Sequence, residues 1–209
     1  MTPRALREGD DRDFAGRVVR LLEQEPAIRK VRLVGSRAEG RARPMSDWDF
    51  LVDTHDFERA AARLPERVRA LSPLGTFWDP YSPYWAYIAL LPGPRKVDFV
   101  FSHPHTPGPA YVARRATLRP MDVHFWDWTV WLASKEGGPQ AEIVTGELRK
   151  MHELLLGPLG VPLAPPTIAA AVRAYRAARG AAERRFRTRG DRHLTTECLR
   201  YLRRAGYPV

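Results

Sequence analysis

Apolar positions recur along the first half of the chain at two alternating periods. In "DFAGRVVRLLEQ", residues 13–24, Phe14, Val18, Leu21 and Leu22 fall at helical spacing and predict an amphipathic helix. "VRLVGS" at 31–36 then reads as a short strand, with Val31 and Leu33 on one face and Val34 on the other. "RAEGRAR" predicts a brief helix or turn, stopped by Pro44. "DWDFLVD" is the next strand, and "DFERAAARLPERVRALS" the next helix, kinked or divided at Pro65. Beyond an aromatic stretch, 84–91 and 95–102 are strand-like, and "PGP" between them predicts a β-hairpin. From residue 120 onward the strand pattern stops. "MDVHFWDWTVWLASKE" and "QAEIVTGELRKMHELLLGPLG", separated by "GGP", predict helices, as do two later segments with Pro before and Gly after. The expected fold is α+β: a mixed-sheet domain over 1–108 and an all-helical C-terminal bundle over 109–209, divided near 103–119.

Composition agrees with a folded chain. Of its 209 residues 44% are hydrophobic and 28% charged, enough for real cores without wholesale disorder. No apolar run reaches the roughly 18 residues of a membrane span. "MTPRALREGDDRDF" lacks an apolar signal core, so a cytoplasmic location is expected and no membrane partner. A single cysteine, Cys198, excludes an internal disulfide and fits a small buried core residue within a helix. The net charge is +10, almost all of it arginine, with lysine only at 30, 96, 135 and 150. Coding-sequence bias explains such a charge as well as a nucleic-acid surface does, and a polyanionic small ligand would also benefit from the field.

The charge matters most around "GSRAEGRARPMSDWDF", residues 35–50. On a strand Asp47 and Asp49 project from one face while Trp48 and Phe50 anchor the other. Two unpaired carboxylates so placed repel, and a divalent cation with hard oxygen ligands relieves them. Taken alone, "DWD" also suits the polar outer face of an edge strand. Upstream, Gly35 lets the backbone approach a ligand and Ser36 can donate to a phosphate. Downstream, "KVDFVF" puts Asp98 among strand-core residues, where a carboxylate needs a compensating partner. Three acids on adjacent strands beside a phosphate cradle suit metal-assisted nucleotidyl transfer.

"VGS" at 34–36, "DWDF" at 47–50 and "VDF" at 97–99, in this order, resemble the DNA polymerase β-type nucleotidyltransferase superfamily over residues 12–102. The helical remainder is similar in outline to small aminoglycoside- and lincosamide-modifying nucleotidyltransferases. The resemblance implies a triphosphate held by Gly35 and Ser36. It implies two Mg²⁺ ions on Asp47, Asp49 and Asp98, with Asp98 as metal ligand or as general base. Arg37 and Lys135 are expected at the phosphates, and Ser46 at the nucleotide or simply orienting its turn. Glu136, Glu142 and Glu147 are alternative bases or binders of a cationic acceptor. Trp78, Tyr81, Tyr84 and Trp85 are candidate stacking platforms, whereas Trp126, Trp128 and Trp131 read as packing, and "HPH" at 103–105 as a loop without metal.

The implied activity is transfer of AMP from ATP to a hydroxyl of a small molecule, an antibiotic among the options, with release of pyrophosphate. A +10 chain would repel a polycationic acceptor unless its cleft is locally acidic. The alternative is adenylylation of a protein or RNA, including the toxin–antitoxin type of minimal nucleotidyltransferase. Arginines 173, 176, 179, 184, 185, 187 and 189 motivate it. A non-catalytic nucleotide binder is disfavoured by the presence of all three acids.

Overall fold

The computed structural model of the chain describes residues 8–43, 45–93, 95–136 and 140–209, with side chains from residue 13 onward. The expected stop at Pro44, the last residue of "PGP" and the "GGP" break at 137–139 lie outside the described residues.

Helix α1 (Glu8–Glu23) buries Phe14, Val18 and Leu22, the stripe its apolar spacing predicts. Then come β1 (Ile28–Val34), the one-turn α2 (Gly35–Ala38), β2 (Trp48–Thr54) and α3 (Phe57–Val68). Asp56 caps α3, its Oδ1 accepting from the Arg59 amide at 3.0 Å. Pro65 sits inside α3 without dividing it. A 3₁₀ turn over Arg69–Leu71 leads to β3 (Gly75–Trp78), followed by β4 (Tyr84–Leu91) and β5 (Arg95–Pro104). The helical part comprises α4 (Leu118–Glu136), α5 (Ile143–Met151) running on as a π turn to Leu156, α6 (Ile168–Phe186) and α7 (Arg192–Arg204).

The five strands lie in the order β1-β2-β5-β4-β3. Only β2 and β5 pair in parallel; the other neighbours are antiparallel, so the sheet is mixed. Strand β3 was not expected. It is four residues long, too short for alternation to register, and Gly75 is required there because a Cβ would lie 2.7 Å from Val123 of α4. That close approach seats the helix against the sheet edge.

Alternation gives the sheet two unlike faces. On one, Trp48, Phe50, Val52, Val97, Phe99 and Phe101 are buried under α1 and α3, with Phe50 and Phe99 stacked at 5.9 Å. The turn into β1 is tied to α3 by Glu25, buried and facing Arg59 at 3.2 Å, Arg67 at 3.6 Å and Arg63 at 3.9 Å. On the other face, Ile88, Leu90 and Phe77 join Met121, Phe125 and Trp126 of α4 in a core that continues through α5, α6 and α7. The helical half thus shares its core with the sheet.

Cys198 lies in that core, as expected of it. Trp126 does too, edge-on to Tyr175, which stacks on Phe125 at 3.7 Å. Arg179 departs from expectation. It is buried, 3.6 Å from Asp122 and 3.8 Å from Glu183, so it belongs to the fold rather than to a phosphate-binding surface. Arginines 173, 176, 184, 185, 187 and 189 are exposed. Among the described residues no helix is long and apolar enough to cross a membrane.

Candidate active site

At the C-terminal end of β1 the backbone turns sharply through Gly35, whose φ of +70° is left-handed and suits glycine. A Cβ on Gly35 would stand 2.7 Å from Oδ2 of Asp49, so the turn and the aspartate occupy adjoining space only because no side chain intervenes. Ser36 follows in the first turn of α2, partly exposed. Asp49 lies on β2 and is the registered neighbour of Asp98 on the parallel strand β5. Asp47 precedes the first residue of β2, so it belongs to the loop rather than to the strand predicted for it.

Two other predicted residues serve the loop. Arg37 donates from Nε to the carbonyls of Ser46 and Asp47, both at 3.1 Å, and from Nη2 to Ser46 at 2.9 Å. Its guanidinium carbon lies 4.1 Å from the Trp48 ring centroid, a cation–π contact. Arg37 therefore clasps the segment that carries Asp47, where a phosphate contact was expected. Ser46 accepts at Oγ from the Arg43 amide at 2.8 Å, the turn-orienting role that was its alternative. Lys135, in the last turn of α4, stands 5.3 Å from the Trp131 ring, and its charge draws down the carboxyls of both Asp47 and Asp49.

The acids depart strongly from ordinary carboxylate behaviour. Burial, reinforced by Asp98 and Asp49, pushes Asp47 up to about 7 against the pull of Lys96. Burial and Asp98 likewise raise Asp49. Oδ1 of Asp47 is buried without a hydrogen-bond partner. An orphaned oxygen is costly to leave unmade, and a cation would satisfy it. Asp47 and Asp49 thus fit a divalent cation, with hard oxygen donors and a glycine that leaves the space beside Asp49 open.

Asp98 fits less simply. Both its oxygens accept from the ammonium of Lys96, which is 7% exposed and also lies 3.7 Å from Oδ1 of the buried Asp127 on α4. Burial alone would lower Lys96, but Asp127, Asp98 and Asp47 outweigh it and hold the ammonium charged. Burial, together with the neighbouring acids, raises Asp127 in spite of Lys96. Among the described residues no three acidic, histidine or cysteine side chains converge into a metal-ligating cluster. The expected third ligand is already engaged with a lysine.

Beside Lys96 and Asp98 opens a cleft of about 290 Å³ between the sheet and helices α4 and α5. Asp79, Asp98, Asp127 and Glu147 line it against Lys96 and Lys150, so the cleft is locally acidic within a strongly basic chain. Tyr81, Trp128 and Trp131 supply apolar walls. Glu147 accepts from Trp128 Nε1 at 3.0 Å, and His124, stacked on Trp128 at 5.2 Å, is held neutral by burial, its pKa lowered to about 3.

Of the predicted platforms only Tyr81 lines the cleft. Trp78 and Trp85 pack with Tyr87, Phe101 and Phe57 on the opposite side of the sheet, and Tyr84 is 49% exposed. Trp128 and Trp131 pack with the helical core, as expected of them, and both also line the cleft. Glu136 and Glu142 are exposed and do not line it. His103 stacks on Phe57 at 4.5 Å, and His105 packs tilted against Trp85 at 4.4 Å.

Lys96, Asp127 and Asp79 were missed. The signal for Lys96 was present: it stands two residues before Asp98 and so shares its strand face.

Residues 16–103 match a family model described as a nucleotidyltransferase domain. Residues 16–103 are thus a nucleotidyltransferase domain of the polymerase β-like superfamily, a domain family whose members are transferases that use a nucleoside triphosphate. No curated protein matches the chain.

Proposed function

We propose that the nucleotidyltransferase domain transfers AMP from ATP to a hydroxyl of a small, cationic acceptor held in the cleft between the sheet and helices α4 and α5. The observation that carries this reading is the Gly35 turn set directly against Asp49, with Asp98 in register beside it and the acidic, aromatic-walled cleft adjoining. Gly35 and Ser36 receive the triphosphate, and Lys135 adds positive charge from the last turn of α4. Asp47 and Asp49 hold a divalent cation, in our reading Mg²⁺, which would neutralise charge on the phosphates when bound. The acceptor oxygen bonds to the α-phosphorus as the bond to the β-phosphate bridging oxygen breaks. Pyrophosphate departs, and the hydroxyl proton passes to a carboxylate, for which Asp98 is best placed.

The cleft volume suits a small acceptor. Its acid-rich lining also answers the charge objection to a cationic one, so an amine-bearing antibiotic is compatible with this site despite the net +10. The test is a screen of hydroxylated amines with labelled ATP, following pyrophosphate release and the mass of the acceptor. A gain of one adenylate on a small molecule, abolished in Asp49→Asn, is the expected result. Label appearing only on protein or RNA would replace the small acceptor by a macromolecular one.

A further inference from the structure

The arrangement of Lys96 carries a deeper reading of the same site, and it rests on the assignment of a cation to Asp47 and Asp49. Lys96, Asp98 and Val100 alternate with Val97, Phe99 and Phe101 along β5, which puts the lysine and the aspartate on one face. In that position the ammonium spans both oxygens of Asp98, and Asp127 of α4 backs it from the helical side. Lys96 is enclosed: it is 7% exposed, with β5 beneath and α4 above. Withdrawing it would leave the buried carboxylate of Asp127 and the partly buried one of Asp98 without this countercharge.

We propose that Lys96 is a built-in cation that takes the place of a second metal ion at Asp98, so that the domain works with one divalent cation, on Asp47 and Asp49. Lys96 is then a positioning residue. It fixes the Asp98 carboxylate beside Asp49 and supplies at that carboxylate the positive charge that an exchangeable ion would otherwise bring. The charge bookkeeping agrees. Asp47 and Asp49 balance one divalent ion, while Lys96, shared between Asp98 and Asp127, supplies a positive charge at Asp98.

The distinction is readable by electron paramagnetic resonance of Mn²⁺ bound to the full chain together with the non-hydrolysable analogue α,β-methylene-ATP. Two Mn²⁺ ions sharing a nucleotidyl-transfer site lie roughly 3.5–4 Å apart. At that separation they give a spin-coupled spectrum, whereas a lone ion does not. The wild type is expected to show one uncoupled ion per chain, and Lys96→Met a coupled pair at two ions per chain. The double variant Lys96→Met/Asp127→Asn, which leaves one fewer buried acid behind, should show the same pair if the single variant fails to fold. A coupled pair in the wild type, or one uncoupled ion in the folded lysine variants, overturns the proposal. Asp49→Asn separates the two levels. Loss of the protein-bound signal supports the underlying metal assignment, and a spectrum like that of the wild type removes it and this inference together.

Discussion

Strands β2 and β5 present opposite chemistry on their two faces. Toward α1 and α3 they offer Trp48, Phe50, Val52, Val97, Phe99 and Phe101, all buried and aromatic or branched. Toward α4 and the cleft they offer Asp49, Lys96 and Asp98. The residues are neighbours in sequence, and a period of two keeps them apart in space. One face stabilises the fold by burying apolar surface, while the other holds partly desolvated charge, with burial and the neighbouring Asp98 raising the pKa of Asp49. Stability on the first side is what makes the electrostatic tension on the second tolerable.

That division is open to direct attack. The largest effect is expected for Asp49→Asn, with pyrophosphate release falling on the order of a thousandfold. Its thermal unfolding should stay at or above that of the wild type, because a raised, repelled carboxylate has been removed. A melting temperature lowered by many degrees would show that the charged face also holds the fold.

The converse change is Phe99→Ala. It should cost about 3–5 kcal/mol in chemical denaturation, while each molecule that remains folded keeps its turnover. Loss of turnover without loss of stability would merge the two faces.

A third prediction concerns pH. Asp47 has a folded pKa near 7 against an ordinary 3.8, so the folded state holds the extra proton between those values. Its contribution to stability is complete below about pH 4 and is lost as pH rises through 7, with a magnitude of roughly 2–4 kcal/mol. Relative to the wild type, Asp47→Asn should therefore gain stability on going from pH 5 to pH 8. Mg²⁺ should recover much of that difference for the wild type at pH 8. Parallel melting curves of the two proteins at both pH values, with and without the ion, test each part.

The smallest effect belongs to Gly35→Ala, which forces a left-handed φ on a side chain and brings its Cβ against Asp49. We expect a stability loss of about 1–2 kcal/mol and a larger KM for ATP in steady-state kinetics. An unchanged KM would detach this turn from the triphosphate.

Much of this was legible in the sequence because it depends on local periodicity. The strand from Trp48 onward, the 84–91 and 95–102 hairpin strands and the later helices follow from spacing alone, as does the pairing of a polar with an apolar face. What stayed hidden depends on packing between elements distant in the chain. Asp127 sits in "FWDWTVW", a run with too few polar residues to reveal which side faces the sheet. Only the seating of α4, allowed by Gly75, brings that acid to Lys96. Arg37 looked available for phosphate because a sequence does not show carbonyl oxygens, and two of them from the 46–47 loop capture it. Trp78 missed its expected place by the cleft for the same reason: which side of the sheet an aromatic reaches is decided by strand phase, and Trp78 packs with Tyr87 and Phe101.

The Arg37 clasp has a thermodynamic corollary. By joining α2 to the backbone of Asp47, it makes the segment that would greet a nucleotide and the segment that would greet a cation one mechanical unit. Whatever steadies either end steadies both, so the two ligands should promote each other's uptake by the same factor, as reciprocity demands. In Arg37→Ala that mutual help should fade even where each ligand alone still binds.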